Sequence, residues 1–204
     1  MIRLSIRSAG VAVSALALAG CALLSSPDPV QTYRFGGPAA ASAVAEGQSN
    51  LRQVTLRRVQ FPEAVEGDKI LGVTGTETAY IAGARWVSPA TDLYMESLEN
   101  AFAAQATRVR LIGPRELTRG ERSLDIDIRA FEARYEAPGA IPIVVVTARA
   151  RLLALPDRTV AAERTFTVQQ PASENRVSAI VEAFDIATRD LNTQIVGWTD
   201  ANAG

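Results

Sequence analysis

Two features of this 204-residue chain have the residue types and spacing for chemistry: a lone cysteine, Cys21, and an i, i+2 pair of carboxylates, Asp125 and Asp127. A thiol can act as a nucleophile, accept an acyl group, ligate a metal or form a disulfide. Two carboxylates on one strand face have the spacing of a general acid and base, or of part of a calcium site. What the chain lacks narrows both options. It has no histidine and no second cysteine. Ser-His-Asp and Cys-His catalysis, His-ligated zinc and an internal disulfide therefore have no residues to build them. Asp125 and Asp127 alternate with Leu124, Ile126 and Ile128, which places them on the solvent side of a half-buried strand. Arg149 and Arg151 repeat the same spacing further on and are positioned to face them across strands. No residue is assigned as catalytic, and neither a metal nor a cofactor is expected.

Cys21 closes the stretch Leu18-Ala19-Gly20-Cys21, which follows an apolar run from Ala9 to Ala19 and two arginines, Arg3 and Arg7. A positive start, a short apolar middle and small residues at the cut make a secretory signal. A cysteine at the cleavage point resembles the lipobox of bacterial lipoproteins, in which the thiol is diacylated and the chain is cut before it. Residues 1–20 are accordingly read as a lipoprotein signal peptide, Cys21 as the lipidation site, and residues 21–31 as a tether. The apolar run is too short for a membrane span, which needs about 20 apolar residues. Each buried methylene contributes about 0.8 kcal/mol, so two or three acyl chains anchor a protein durably where one does not. Ala22, rather than aspartate, follows the cysteine, which by the enterobacterial sorting rule directs a lipoprotein to the outer membrane. The expected location is the periplasmic face of the outer membrane in a Gram-negative bacterium.

The chain carries 21 Lys+Arg and 22 Asp+Glu, and two of those arginines leave with the signal. A mildly acidic balance without a charge run gives no electrostatic footprint for nucleic acid. The hydrophobic fraction of 48% and charged fraction of 21% are those of one globular domain, placed at residues 32–198 with 199–204 as a tail.

Alternation and helical spacing then set out the elements that would position these residues. Short strands are expected at Thr32–Phe35 and Leu51–Phe61, with a loop over 36–50 between them and a charged turn at 63–68. A hairpin follows over Lys69–Thr74 and Glu77–Ile81. Ser88-Pro89 reads as a capped helix start, with serine at the cap and proline in the first turn. Tyr94, Leu98, Ala101 and Phe102 mark that helix's apolar face. Val109 and Leu111 make a short strand. Three long strands occupy 124–135, 143–155 and 159–169; in the first, the apolar parity switches beyond Ala130 to Phe131, Ala133 and Tyr135, the mark of a bulge. Ser173 opens a last helix with its stripe on Val177, Ile180, Phe184, Leu191 and Ile195. The pattern predicts an α+β fold: one domain, a mainly antiparallel sheet, and two amphipathic helices packed on one face.

With these elements in order, the chain resembles the ABC-type transport auxiliary lipoproteins, also described as paraquat-inducible protein C-like. The features are Tyr33-Arg34-Phe35, the Val-x-Leu-x-x-Val-x-x-Pro run from Val54 to Pro62, and Arg85-Trp86-Val87-Ser88-Pro89 ahead of Leu93, Leu98 and Phe102. The long strand pair and closing helix extend the similarity over 33–198. The resemblance implies a docking role, not a reaction. Its expected partners are an MCE-domain substrate-binding protein with an ABC permease and ATPase, moving lipid between the inner and outer membranes, and some members assemble as homo-oligomeric rings. A second role open to such a lipoprotein is a structural or plug subunit of an outer-membrane assembly or secretion complex. Arg85 and Trp86 have the residue types of interface anchors, although a tryptophan at this place also packs as core, with Arg85 paired to a carboxylate. Tyr94, Phe102 and the last helix's stripe could line an acyl-chain pocket or serve simply as core. Trp198, just past the last predicted turn, is a third aromatic of interest.

Overall fold

The computed structural model describes residues 30–37, 51–114, 116–118 and 120–203. The signal peptide, Cys21, the tether up to residue 29 and most of the 36–50 loop lie outside the described residues. From Gln31 onward the chain is one α+β unit. In order its elements are β1 (Gln31–Tyr33), β2 (Arg52–Gln60), α1 (Glu63–Glu66), β3 (Lys69–Thr74), β4 (Glu77–Trp86), α2 (Ala90–Gln105), β5 (Val109–Ile112), β6 (Arg122–Tyr135), β7 (Ile143–Ala154), β8 (Thr159–Pro171) and α3 (Val177–Asn202).

The 14-residue β6 is the spine. β7 pairs antiparallel along one edge of it, from Arg122↔Ala154 to Arg134↔Ile143. The other edge is shared. β2 occupies Arg122–Asp127 and β3 occupies Ala133–Tyr135, both parallel to β6. β2 and β3 therefore run end to end along β6, joined through α1, and the sheet forks beyond them. β5 lies parallel beside β2, while β4 lies antiparallel beside β3 and carries β1 parallel on its far side. β8 continues the sheet beyond β7.

The sheet is thus mixed, not mainly antiparallel: four of the seven strand pairings among the described residues are parallel. Apolar alternation is the same in either orientation; the connections decide. Direct hairpin connections make β3–β4, β6–β7 and β7–β8 antiparallel. The first uses Gly75, at φ +59°, in a two-residue turn that suits the strand twist. Longer connections bring β2, β3 and β5 in alongside their neighbours in the same direction.

The bulge predicted near Ala130 is present. Ile128 faces Ala148 and Ala130 faces Thr147, leaving Arg129 as the extra residue. It switches the parity of β6, so that Leu124, Ile126 and Ile128 before it and Phe131 and Ala133 after it all reach the buried core. Phe131 becomes the hub of an aromatic cluster, with ring centroids 5.2 Å from Phe35, 5.6 Å from Phe61, 6.2 Å from Trp86 and 4.8 Å from Phe184. These rings come from the ends of β1, β2 and β4 and from α3. Tyr94 of α2 joins through Phe61 at 5.6 Å. Each aromatic pair adds about 0.5–1.5 kcal/mol beyond area burial.

The two long helices cover this face as expected. α3 packs on β7 and β8, and α2 packs on β2, β5 and α3. Their ends differ from the sequence reading. α2 starts at Ala90 with Pro89 in the cap position, and Ser88 caps nothing. The Ala90 N–H instead donates to the Gly67 carbonyl at 2.8 Å, and the Thr91 hydroxyl to that of Glu66 at 3.2 Å. The expected turn at 63–68 contains α1, which makes these acceptors available and raises the helix count to three among the described residues. α3 begins at Val177, not Ser173, and runs past Trp198 to Asn202. The supposed tail is structural. The Asp200 carboxylate accepts from the Thr107 N–H (2.7 Å), the Thr107 hydroxyl (2.9 Å) and the N–H groups of Arg108 (3.2 Å) and Val109 (3.1 Å), setting the start of β5.

Phe131→Ala is expected to cost about 3–5 kcal/mol and Arg129→Ala under about 1 kcal/mol, whereas deleting Arg129 takes out the bulge yet leaves Phe131 in phase with Ile128, and is expected to keep cooperative unfolding. Urea titration of the three proteins reads the difference. Asp200→Ala is expected to lower stability by about 2 kcal/mol through four lost hydrogen bonds, with hydrogen exchange accelerated first at residues 107–109.

Candidate functional site

Asp125 and Asp127 share a face of β6, as predicted, and β7 places Arg151 and Arg149 directly opposite them. Their environment is not the solvated one that alternation implied. Asp125 is 1% exposed. Arg57 grips it with both ends of its guanidinium: Nε donates to Oδ1 at 2.8 Å and Nη2 to Oδ2. Arg151 Nη2 lies 3.6 Å from Oδ2. Asp127 accepts from Arg149 Nη2 at 2.9 Å and pairs with Arg129 Nη2 at 2.7 Å. Asp127 is less enclosed, its side chain 17% exposed.

Arg57 is the partner that sequence reasoning missed. β2 carries its own bulge: Leu56 faces Leu124 and Arg58 faces Asp125, leaving Arg57 as the extra residue. The signal was present in the run Val54, Leu56, Val59, where the apolar spacing lengthens from two to three. Both Asp125 oxygens accept from the Arg57 guanidinium and the residue is closed to solvent, whereas the contacts of the partly exposed Asp127 fall on its Oδ2. No group of three or more His, Cys, Asp or Glu among the described residues is arranged to hold a metal.

Arg85 and Trp86 are separated by the alternation of β4. Trp86 is 2% exposed, edge-on to Phe35 at 4.9 Å and to Phe184 at 5.4 Å. It is core, and its ring is closed to a partner in this fold. Arg85 stays half exposed and bonds Asp68 Oδ2 through Nη1 at 2.9 Å. This hydrogen bond holds the Asp68 carboxyl below the usual carboxylate range.

Tyr94 is fully buried, and burial pushes its hydroxyl pKa up. Phe102 is buried too, and lines the wall of an open groove of about 660 Å³ between α2 and β5. That groove mixes Met95 and Leu111 with Asp92, Glu96, Glu99 and Glu116, a rim unlike an acyl-chain tunnel. Trp198 is partly exposed and edge-on to Phe166 at 6.0 Å. No helix among the described residues is long and apolar enough to cross a membrane.

Breaking the cluster leaves buried charge without its partner. Asp125→Ala is expected to destabilise the domain by about 3–5 kcal/mol, and adding Arg151→Met to recover part of that loss. Chemical denaturation of the single and double variants measures the coupling; independent, additive losses would show that the pair is not coupled.

The comparisons with known proteins meet this geometry. Protein XCC0632 from Xanthomonas campestris, assigned to family-model DUF330, superimposes with a TM-score of 0.66 at 26% identity, over 86% of this chain and 95% of that one. A second crystal structure, of an uncharacterised protein, gives 0.64 at 13% identity over 83% and 98%. The hypothetical protein CT253 from Chlamydia trachomatis gives 0.50 at 9% over 74% and 97%. The last two show the fold alone. No curated protein matches the chain. The model of the ABC-type transport auxiliary lipoprotein component matches residues 33–196, the span of the described sheet and its covering helices, and the chain belongs to that family.

Proposed function

We propose that this lipoprotein is anchored through acylated Cys21 to the periplasmic face of the outer membrane in a Gram-negative bacterium. There it docks an MCE-domain substrate-binding protein, coupled to an inner-membrane ABC permease and ATPase, so that lipid passes between the two membranes. The observation that carries this reading is the family match over 33–196, lying downstream of the Leu18-Ala19-Gly20-Cys21 lipobox. The family match supports an adaptor role, and the paired carboxylates Asp125 and Asp127 are held in ion pairs with arginines. Arg85, half exposed beside Asp68, is a candidate contact, with Trp86 supporting it from the core. Assembly as a homo-oligomeric ring is part of the same proposal.

Cys21→Ser tests the anchor. The variant is expected to keep the wild-type melting temperature, appear in the soluble periplasmic fraction and lose in-cell function; full complementation by the soluble form would overturn the anchoring role. Co-purification on a tagged full-length chain tests the partner. Recovery of the MCE protein supports the proposal, and recovery of an outer-membrane β-barrel without it sinks the proposal.

A further inference from the structure

The sheet is guarded unevenly at its margins. β1 and β5 are strands of 3 and 4 residues, whereas β8 has 13 residues and pairs only with β7 among the described residues. Long edge strands expose unpaired N–H and C=O groups and are normally blunted. β8 carries such devices as an extra residue at Ala161, the charged neighbours Glu163 and Arg164, and a proline at Pro171. The stretch between, including Thr165-Phe166-Thr167-Val168, is proline-free and rich in strand-forming residues.

A cleft of about 360 Å³ opens beside this strand. It is formed by Arg164 and Phe166 from the helix side of β8 and by Gln194, Gly197, Trp198 and Ala201 of α3. The volume is at the low end for a ligand pocket, and suits side chains of an extended segment better than a whole molecule. Side chains of a strand added at the β8 edge would alternate into it. Phe166 and Trp198 supply an aromatic wall, and a Cβ built on Gly197 would meet nothing within 4 Å, so the helix surface is bare there. The Arg164 guanidinium stacks 4.9 Å from the Phe166 ring centre and has no carboxylate partner among the described residues.

We propose that the β8 edge and this cleft take an extended segment of a partner protein as an additional strand, with an apolar side chain against Phe166 and Trp198 and an acidic side chain on Arg164. Charge complementarity selects a partner over a second copy. The residues on the helix side of β8 are Ala162, Arg164, Phe166, Val168 and Gln170, of which Arg164 and Phe166 line the cleft, so two-fold pairing of β8 with itself brings no carboxylate to Arg164. Main-chain hydrogen bonds supply affinity in this mode, and the alternate pockets supply sequence preference.

The test uses the full-length lipidated chain in nanodiscs and an arrayed set of peptides of about eight residues, a usual strand length. The peptides alternate threonine with a varied apolar residue and carry aspartate or lysine two positions along. Aspartate peptides are expected to bind and to protect the amides of 164–169 from hydrogen exchange. N-methylation of their alternate amides and Trp198→Ala are each expected to weaken binding about tenfold. Arg164→Glu, on an exposed residue, is expected to keep the melting temperature and to switch preference from aspartate to lysine. No binding across the array, binding indifferent to Arg164→Glu and to N-methylation, or β8 protection accompanied by dimerisation in light scattering would each overturn the proposal.

Discussion

The extra residue at Arg129 is the constraint on which the rest of the domain depends. A strand of period two can present one apolar set to a core. β6 presents two, because the bulge between Ile128 and Ala130 resets its parity. The first set lies beside β2 and the second beside β3, so the bulge and the fork in the sheet fall in the same stretch of β6. Phe131, the first core residue after the reset, touches rings contributed by segments that are remote in sequence. Without that switch the aromatic residues at the ends of β1, β2 and β4 have no common partner.

The opposite face of β6 is organised by charge. Taking a carboxylate out of water costs several kcal/mol unless its oxygens are met. Asp125 is met from two sides, by Arg57 of β2 and Arg151 of β7, and Asp127 by Arg149 and Arg129. The pairs tie together three strands that the core holds from the other side. Their geometry holds Asp125 out of solvent in an ion pair and leaves Asp127 partly exposed beside two arginines. The ion pairs thus brace the sheet of a domain that belongs to the ABC-type transport auxiliary lipoprotein family.

Position and surface are supplied by different parts of the chain. The proposed lipid anchor belongs to the segment before Gln31, while Arg85, the α2–β5 groove and the β8 margin belong to the folded body. Asp200 and Gly36 show how closely the ends of that body are drawn in. Asp200 fixes the start of β5 from the last turn of α3, and the Gly36 N–H donates to Asp185 on the same helix at 2.8 Å. A Cβ at Gly36 would stand 2.7 Å from that of Ser97, so its close approach to α2 needs glycine.

Local pattern was enough for what depends on neighbours along the chain. Alternation marked the strands, helical spacing marked the two long helices, the parity change marked the bulge in β6, and the spacing of Asp125, Asp127, Arg149 and Arg151 predicted their cross-strand pairing. Tertiary structure decided everything that depends on direction and on partners far away. Strand orientation was invisible because parallel and antiparallel strands share one side-chain period. The burial of Asp125 required Arg57 to arrive from another strand, and the start of α2 was set by carbonyls of Glu66 and Gly67 in place of the local Ser88. Arg85 and Trp86, adjacent in sequence, went to opposite environments because a pleated strand sends neighbours to opposite faces. Sequence alone determined which residues alternate; only the fold decided which face each set would meet.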